Sequence, residues 1–143
     1  MADLPMARKS DSGASKRRWK RYQVKNGAFV MIYKPSLLKL GKPAPVKLGP
    51  IKDIGMKGLA VQYMDQKNLL RNVEELAIAL PDGTIAVDKL KFTPVTDFEV
   101  AQMPNARSIR TLCVSFSGLL PLQKIQLERF IDEYGLEMVK GPC

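Results

Sequence analysis

The sequence predicts a mainly β fold, a small β-barrel with one α-helix at its C-terminal end. Three observations support this class. Short apolar runs of strand length are separated by turns with proline and glycine through most of the 143 residues. The segment "EELAIALPDGTIAVDKLKF", residues 74–92, places strand-like residues on both sides of a proline-aspartate-glycine turn. Helical periodicity begins only after residue 120.

The first half of the chain predicts a polar leader and two strands. Residues 1–15 mix Ser, Gly, Asp and Lys with few apolar residues, so we expect a disordered leader. "AFVMIY", residues 28–33, and "LAVQY", residues 59–63, are apolar runs of strand length. Between them, residues 34–49 contain three prolines and two glycines. Proline cannot donate to a strand ladder, so this stretch is predicted to be a loop or an irregular edge.

The second half predicts a hairpin, further strands and a helix. Pro81 and Gly83 suit the hairpin turn, and "TPVTDFEV", residues 93–100, extends its second strand. "SIRTLCVSFSG", residues 108–118, nearly alternates apolar and polar positions. The period then changes, and one helix face gathers Leu127, Phe130, Ile131 and Tyr134. Pro121 suits the first turn of this helix and Gly135 its end.

Composition narrows the class of protein. A chain that is 45% hydrophobic at this length predicts one domain. It has no run of 18 apolar residues and no apolar stretch behind its first basic residues, so we expect neither a membrane span nor a secretory signal. A cytoplasmic location follows from that expectation. Two cysteines are too few for a disulfide framework, and they predict a buried Cys113 and a free thiol at Cys143.

The chain contains no histidine. Histidine-based nucleophilic catalysis and histidine-ligated metals are therefore excluded, and no arrangement of carboxylates, lysines or tyrosines suggests another catalytic site. The sequence predicts that the protein is not an enzyme and that it has no metal or cofactor.

Positive charge is concentrated at the start of the chain. Residues 1–57 carry 14 Lys and Arg against three acids, whereas residues 58–143 carry nine against eleven. The segment "KRRWKRY", residues 16–22 and called the arm below, holds five of these positive charges and two aromatics. This asymmetry indicates either a partner rich in phosphate or a basic segment that is simply solvated.

Two short motifs resemble the signature of PilZ domains. Arg17 and Arg21 stand four apart ahead of the first long strand, as in that family's RxxxR motif. About thirty residues downstream, "DIGMKG" is similar to its second motif, an Asp or Asn, any residue, Ser, two residues and Gly. Asp53 and Gly58 match that pattern, while Gly55 stands in the place of the serine. The resemblance covers residues 16–134 and includes the last strand and the helix.

This resemblance implies a fold and a ligand. PilZ domains are bacterial receptors for cyclic di-GMP, built as a six-stranded antiparallel barrel with a C-terminal α-helix and a flexible basic N-terminal arm. It implies a single domain over residues 16–136 and a tail over 137–143. The ligand would lie between the arm and the barrel surface that carries the second motif.

The resemblance also assigns ligand-binding roles. An arginine fork can hold the O6 and N7 atoms of guanine or a phosphate, which suits Arg17 and Arg21, with Arg18 as an auxiliary charge. The carboxylate of Asp53 can accept from N1 and N2 of guanine. Trp19 can stack on a base or pack the arm onto the barrel.

The two glycines complete the implied site. Gly58 allows close approach, although a plain turn glycine fits the pattern equally well. Gly55 lacks the hydroxyl of the family serine, so the resemblance implies affinity reduced by severalfold to about tenfold.

Three functions stay open from the sequence. The first is a non-catalytic receptor in which cyclic di-GMP orders the arm and creates a surface for a downstream protein. The second is a PilZ-like adaptor that keeps the fold for protein contacts and has lost the ligand, which Gly55 favours. The third is a basic small barrel that binds nucleic acid. It is the weakest, because a single-strand groove needs several stacking aromatics and the basic half offers few.

Overall fold

The computed structural model describes residues 20–24, 26–34, 44–66, 69–104 and 107–138. Within them the chain forms eight strands and one helix. In order, these are β1 Arg21–Val24, β2 Phe29–Lys34, β3 Ala44–Ile54, β4 Gly58–Met64, β5 Glu75–Ala79, β6 Ile85–Gln102, β7 Ser108–Phe116, α1 Pro121–Tyr134 and β8 Gly135–Met138. The mainly β prediction is confirmed.

Six of the strands close into an antiparallel barrel in the order β2-β5-β6-β7-β4-β3, with β3 returning to β2. Two long strands make the closure possible because each changes partner along its length. β3 pairs with β2 over residues 44–50 and with β4 over 51–54. β6 pairs with β5 through residue 91 and with β7 from residue 92 onward. The predicted barrel with a C-terminal helix is confirmed.

The core lies inside this barrel and under the helix. The alternation seen in the sequence sends one face of each strand inward, and the predicted face of α1 caps one side. Fully or nearly fully buried members include Val30, Ile32, Ile54, Leu59, Val61, Ile78, Leu90, Leu112, Leu127, Phe130 and Ile131. Apolar burial of this kind is the main stabilising contribution to a small domain.

The proline-rich segment is more regular than the sequence predicted. Residues 44–49 were expected in a loop or irregular edge, yet they begin the eleven-residue strand β3. Over these residues β3 pairs with β2 alone among the described strands. Pro45 therefore lies on a strand with one unpaired side, which is where a residue without an N–H is tolerated. The remainder of that predicted loop, 35–43, lies outside the described residues.

The predicted hairpin between β5 and β6 is confirmed. Gly83 has φ +93°, and the N–H of Thr84 donates to Oδ1 of Asp82 at 2.9 Å. Further along β6 the register shifts between Pro94 and Thr96. A bulge is one of the few places where a strand accommodates proline, and it explains how "TPVT" can continue a strand.

Gln123 fastens the helix to the barrel. Its Nε2 donates to the carbonyl oxygens of Asp88 and Lys89, both at 2.9 Å, and its Oε1 accepts from the N–H of Leu120 at 2.9 Å. Lys89 has φ +49°, an uncommon conformation for a residue with a side chain. Gln123 thus supports an irregular point of β6 and the first turn of α1 together.

The helix ends at Gly135 for a steric reason. Gly135 has φ −88°, so positive φ is not needed there. A Cβ at this position would lie 2.7 Å from the carbonyl oxygen of Ile131 and 3.0 Å from Cβ of Tyr22. Only glycine fits where the chain turns from α1 into β8 beneath β1.

Two strands lie outside the closed barrel. β1 pairs with the end of β3 on one side and with β8 on the other, both antiparallel. Tyr22 and Val24 of β1 are partly buried against the core. The sequence did not predict β8, whose residues 137 and 138 fall in the expected tail.

Cys113 is buried, as expected, but it takes part in a disulfide, so the prediction that this chain has too few cysteines for one is wrong. The other cysteine, Cys143, lies outside the described residues. No helix in the described part of the chain has the length and apolar character that crossing a membrane requires.

Candidate ligand site at the Arg21–Asp53 ion pair

The fold brings one arginine of the first motif onto the aspartate of the second. Arg21 is the first residue of β1, and Asp53 is the penultimate residue of β3. The two strands pair with Tyr22 opposite Ile54 and Gln23 opposite Asp53. Residues 32 positions apart in the sequence are therefore in side-chain contact.

Arg21 and Asp53 form a buried ion pair. Nε of Arg21 donates to Oδ1 of Asp53 at 2.7 Å, and Nη2 of Arg21 lies against the same oxygen. The side chain of Asp53 is 0% exposed, whereas a quarter of the Arg21 side chain is exposed. The carboxylate is thus enclosed, and the guanidinium links it to the surface.

One oxygen of this pair is left over. Oδ2 of Asp53 is buried and has no hydrogen-bond partner among the described residues, whereas Nη2 of Arg21 lies against Oδ1. A buried charged group that lacks a hydrogen bond is costly, and such groups are rare in native structures. The pair therefore holds one unused acceptor.

The pKa of Asp53 reflects its enclosure. Burial raises the pKa of this carboxyl above its usual range, while the charge and the hydrogen bond of Arg21 pull it back down. Arg21 is therefore the group that favours the charged form of Asp53. A ligand that draws Arg21 away must replace that stabilisation or leave the carboxyl protonated.

Gly55 lies under the arm. Its φ is outside the left-handed region, so conformational freedom does not explain the glycine. A Cβ at this position would lie 2.7 Å from the backbone carbonyl oxygen of Lys20 and 3.5 Å from Cδ of Arg21. The space that a serine side chain would occupy is filled by the backbone of Lys20. The N–H of Gly55 donates to the carbonyl oxygen of Gly58 at 2.8 Å and so closes the turn between β3 and β4.

Gly58 has a separate structural role. A Cβ on Gly58 would collide with the carbonyl oxygen of Val114 on the neighbouring strand β7. Glycine is required here by the close crossing of β4 and β7, where Gly58 pairs with Ser115. This favours the plain structural interpretation of Gly58 over a direct ligand contact.

The described site contains four of the seven residues that the resemblance assigns to the ligand. Arg21, Asp53, Gly55 and Gly58 lie together at the junction of β1 with the β3–β4 turn. The other three, Arg17, Arg18 and Trp19, lie outside the described residues. Two lysines near Asp53 in the sequence, Lys52 on β3 and Lys57 in the following turn, are exposed.

The backbone of Lys20 is the part of the site that the sequence could not reveal. Every residue has a carbonyl, so no side-chain pattern marks the one that fills the space over Gly55. Within the described ranges, no three acidic or cysteine side chains gather in a way that could hold a metal ion.

The fold is that of a PilZ domain, a six-stranded antiparallel barrel with a C-terminal helix, here with β1 laid against the turn after β3. The PilZ domain of Escherichia coli YcgR with c-di-GMP aligns with a TM-score of 0.57 at 12% identity, over 82% of this chain and 91% of that one.

MrkH shares the same fold. K. pneumonia MrkH in its apo state aligns with a TM-score of 0.54 at 13% identity, over 80% of this chain and 47% of MrkH. A second MrkH structure is described as a c-di-GMP-dependent transcription regulatory factor. It aligns with a TM-score of 0.54 at 13% identity, over 82% of this chain and 50% of MrkH. The chain thus spans about half the length of MrkH. No protein-family model matches the sequence, and no curated protein shows a significant match.

Proposed function

We propose that the protein is a non-catalytic receptor for cyclic di-GMP. The observation that carries the proposal is the buried Arg21–Asp53 pair, in which Oδ2 of Asp53 is an acceptor without a partner among the described residues. Its position at the junction of the basic arm and the β3–β4 turn supports the same function. The PilZ fold, seen with c-di-GMP in the YcgR domain, supports the choice of ligand.

The chemistry of guanine fits the unused groups. The N1 and N2 hydrogens of guanine are donors that a carboxylate can accept, and Oδ2 of Asp53 is an acceptor without a partner. On its opposite edge guanine has two acceptors, O6 and N7, that suit an arginine fork. Arg17, Arg18 and Trp19 would supply further contacts to bases and phosphates. The two phosphate charges of the ligand match the positive charge of residues 1–57.

The proposed mechanism is a switch at the arm. Ligand binding orders the segment that contains Arg17 and rearranges Arg21, and the altered surface then engages a downstream protein. We propose that this takes place in the cytoplasm of a bacterium, without membrane insertion, and that nucleic acid is not the ligand.

Calorimetric titration with cyclic di-GMP at two salt concentrations tests the proposal, with a single-stranded oligonucleotide as comparison. We expect saturable cyclic di-GMP binding that weakens modestly at higher salt, because only two ligand charges are screened. An oligonucleotide bound through many phosphates would instead lose affinity steeply with salt. Absence of cyclic di-GMP binding at both salt concentrations would refute the receptor function.

The adaptor function is the second candidate, and one observation favours it. The carbonyl of Lys20 and the side chain of Arg21 already occupy the surface beside Asp53 and Gly55. A chain that no longer needs the ligand would be free to close its site in this way. Affinity capture with and without added cyclic di-GMP distinguishes the two, because an adaptor retains its partner equally in both.

A further inference from the structure

The start of β1 packs against the β3–β4 turn through two separate contacts. The carbonyl oxygen of Lys20 sits in the space beside Gly55, where a Cβ would approach to 2.7 Å. One residue later, the guanidinium of Arg21 pairs with the buried carboxylate of Asp53. Both contacts join the start of β1 to the β3–β4 turn.

These contacts depend on residue 55 having no side chain. The oxygen at Lys20 is a backbone atom, so it cannot rotate away as the end of a flexible side chain would. Relieving a 2.7 Å approach requires movement of the strand start itself. Any side chain at residue 55, including the family serine, would push Lys20 outward and would strain the Arg21–Asp53 pair beside it.

We propose that Gly55 is a positioning residue that lets Lys20 and Arg21, at the start of β1, occupy the protein's own ligand site, so that Arg21 competes with the ligand for Asp53. With glycine at 55, Arg21 itself satisfies part of the carboxylate. The ligand must then exchange one partner of Asp53 for another. This inference rests on the proposed function only in its competition step, because docking itself can be measured without ligand.

Competition of this kind reduces the apparent affinity. When only a fraction of the molecules has an open site, the measured Kd is the intrinsic Kd divided by that fraction. A docked population of nine in ten would weaken binding about tenfold. Loss of a serine hydroxyl would also weaken binding, but only by removing a contact. The two causes predict different effects for alanine at residue 55, because competition predicts tighter binding and a missing hydroxyl predicts no gain.

Gly55→Ala therefore separates them. Alanine adds the Cβ that meets Lys20 but supplies no hydroxyl. The matched control is Gly83→Ala, at a turn glycine with φ +93° and no atom within 4 Å of its Cβ, which strains the backbone at the β5–β6 turn without meeting Lys20 or Arg21. Without ligand, we expect Gly55→Ala to raise trypsin cleavage after Arg21 at least tenfold over the parent and to lower amide-exchange protection at Tyr22 and Val24. Gly83→Ala should leave both unchanged.

Asp53→Asn provides a second route to the same state if Gly55→Ala folds poorly. It is nearly isosteric, adds no bulk near Lys20 and removes the charge that holds Arg21. We expect it also to expose the bond after Arg21. If that bond stays as protected in both variants as in the parent, the docked arm does not depend on these contacts and the inference is overturned.

Titration of the folded Gly55→Ala variant with cyclic di-GMP tests the competition step. If the variant binds cyclic di-GMP up to about tenfold more tightly than the parent, competition is supported. If the variant binds no more tightly than the parent, competition is overturned. If parent and variant both fail to bind while cleavage after Arg21 still increases, the receptor function is refuted and the docked arm remains. Failure of docking and failure of ligand binding are thus distinguishable.

Discussion

The side chain of Asp53 combines two properties that are rarely found in one residue. It is an ionisable group with no exposed surface, and one of its oxygens has no hydrogen-bond partner among the described residues. Purely structural ion pairs normally have their remaining hydrogen-bonding capacity satisfied, because an unused buried charge destabilises the fold. Such a group marks a candidate functional site and not a stabilising device.

The first prediction concerns base recognition by Asp53. Asp53→Ala should weaken cyclic di-GMP binding more than cyclic di-AMP binding, because only guanine presents N1 and N2 donors to a carboxylate. The loss for cyclic di-GMP should be at least about tenfold, the equivalent of one charge-assisted hydrogen bond. Titration of each protein with both nucleotides gives the ratio. Equal weakening for both would mean that Asp53 acts through the fold.

The second prediction concerns Arg21 and pH. Arg21→Ala should lower the free energy of unfolding at neutral pH by about 1.5–3 kcal/mol, because Asp53 stays buried without its partner. The pKa of Asp53 is already raised by burial, and loss of Arg21 raises it further. The folded variant therefore binds a proton more tightly than the unfolded chain does, so it regains stability as pH falls through that pKa.

Urea denaturation at several pH values measures this effect. Arg129→Ala removes an exposed arginine of α1 and serves as the control. A stability difference between Arg21→Ala and the parent that does not shrink toward acid pH would contradict a charged Asp53 as its cause.

The residues of the site were only partly predictable. The spacing of Arg17, Arg21 and Asp53 suggested that the two motifs meet, and the structure does bring Arg21 to Asp53. Sequence could not show that Arg21 is itself a hydrogen-bond partner of Asp53. Gly55 was interpreted as a missing hydroxyl, whereas the structure gives it a neighbour, the carbonyl of Lys20. The role in ligand binding stays a prediction for every residue of the site.

Gln123 shows how an element can depend on one polar side chain. α1 packs on the barrel through Leu127, Phe130 and Ile131, but apolar contact does not fix its rotation or its first turn. The three hydrogen bonds of Gln123 do so, and they also hold Lys89 at positive φ. Buried amides of this kind make a packing arrangement unique.

The third prediction tests this anchor. Gln123→Glu keeps the size of the side chain but points a carboxylate at the carbonyl oxygens of Asp88 and Lys89. We expect it to lower the free energy of unfolding at neutral pH by about 2–3 kcal/mol, since two donors are lost and a charge is poorly paired. Gln126→Glu makes the same charge change at a half-buried position of the same helix and is the control. Equal losses in chemical denaturation would attribute the effect to helix charge alone.

Elements with strong local signals were predicted, and those defined by their partners were not. β2, β4, the hairpin of β5 and β6, β7 and α1 each follow from periodicity or turn chemistry. β1 begins within a highly charged segment, and β8 is only four residues long. Each of these two strands is stabilised by pairing with the other. This is a tertiary effect that local sequence does not encode.

The positive excess of the whole molecule lies in the part of the sequence that builds the candidate site. Residues 1–57 hold all of this excess, and they include β1 and the end of β3, whose side chains Arg21 and Asp53 form the ion pair. The partner change along β3 connects the closed barrel to the β1–β8 pair. The candidate site therefore lies where the closed six-stranded barrel meets the pair formed by β1 and β8.

The last prediction follows from that boundary. The six strands of the barrel pair in a closed ring. Core residues such as Val30, Ile32 and Val61 are 0% exposed, so their amides should exchange only by global unfolding. β1 and β8 are held by each other, by the end of β3 and by the Arg21–Asp53 pair, so they should open locally at a lower free energy.

Native-state hydrogen exchange at increasing urea concentration measures this difference. Amides of Tyr22, Val24 and Leu136 should show small urea dependence, because local opening exposes little surface, whereas barrel amides should show the full dependence. Arg21→Ala should lower the opening free energy of the β1 amides by more than that of the barrel. If the two groups instead open together in the parent protein, β1 and β8 are part of the cooperative barrel, and ligand exchange at Asp53 would require unfolding of the whole domain.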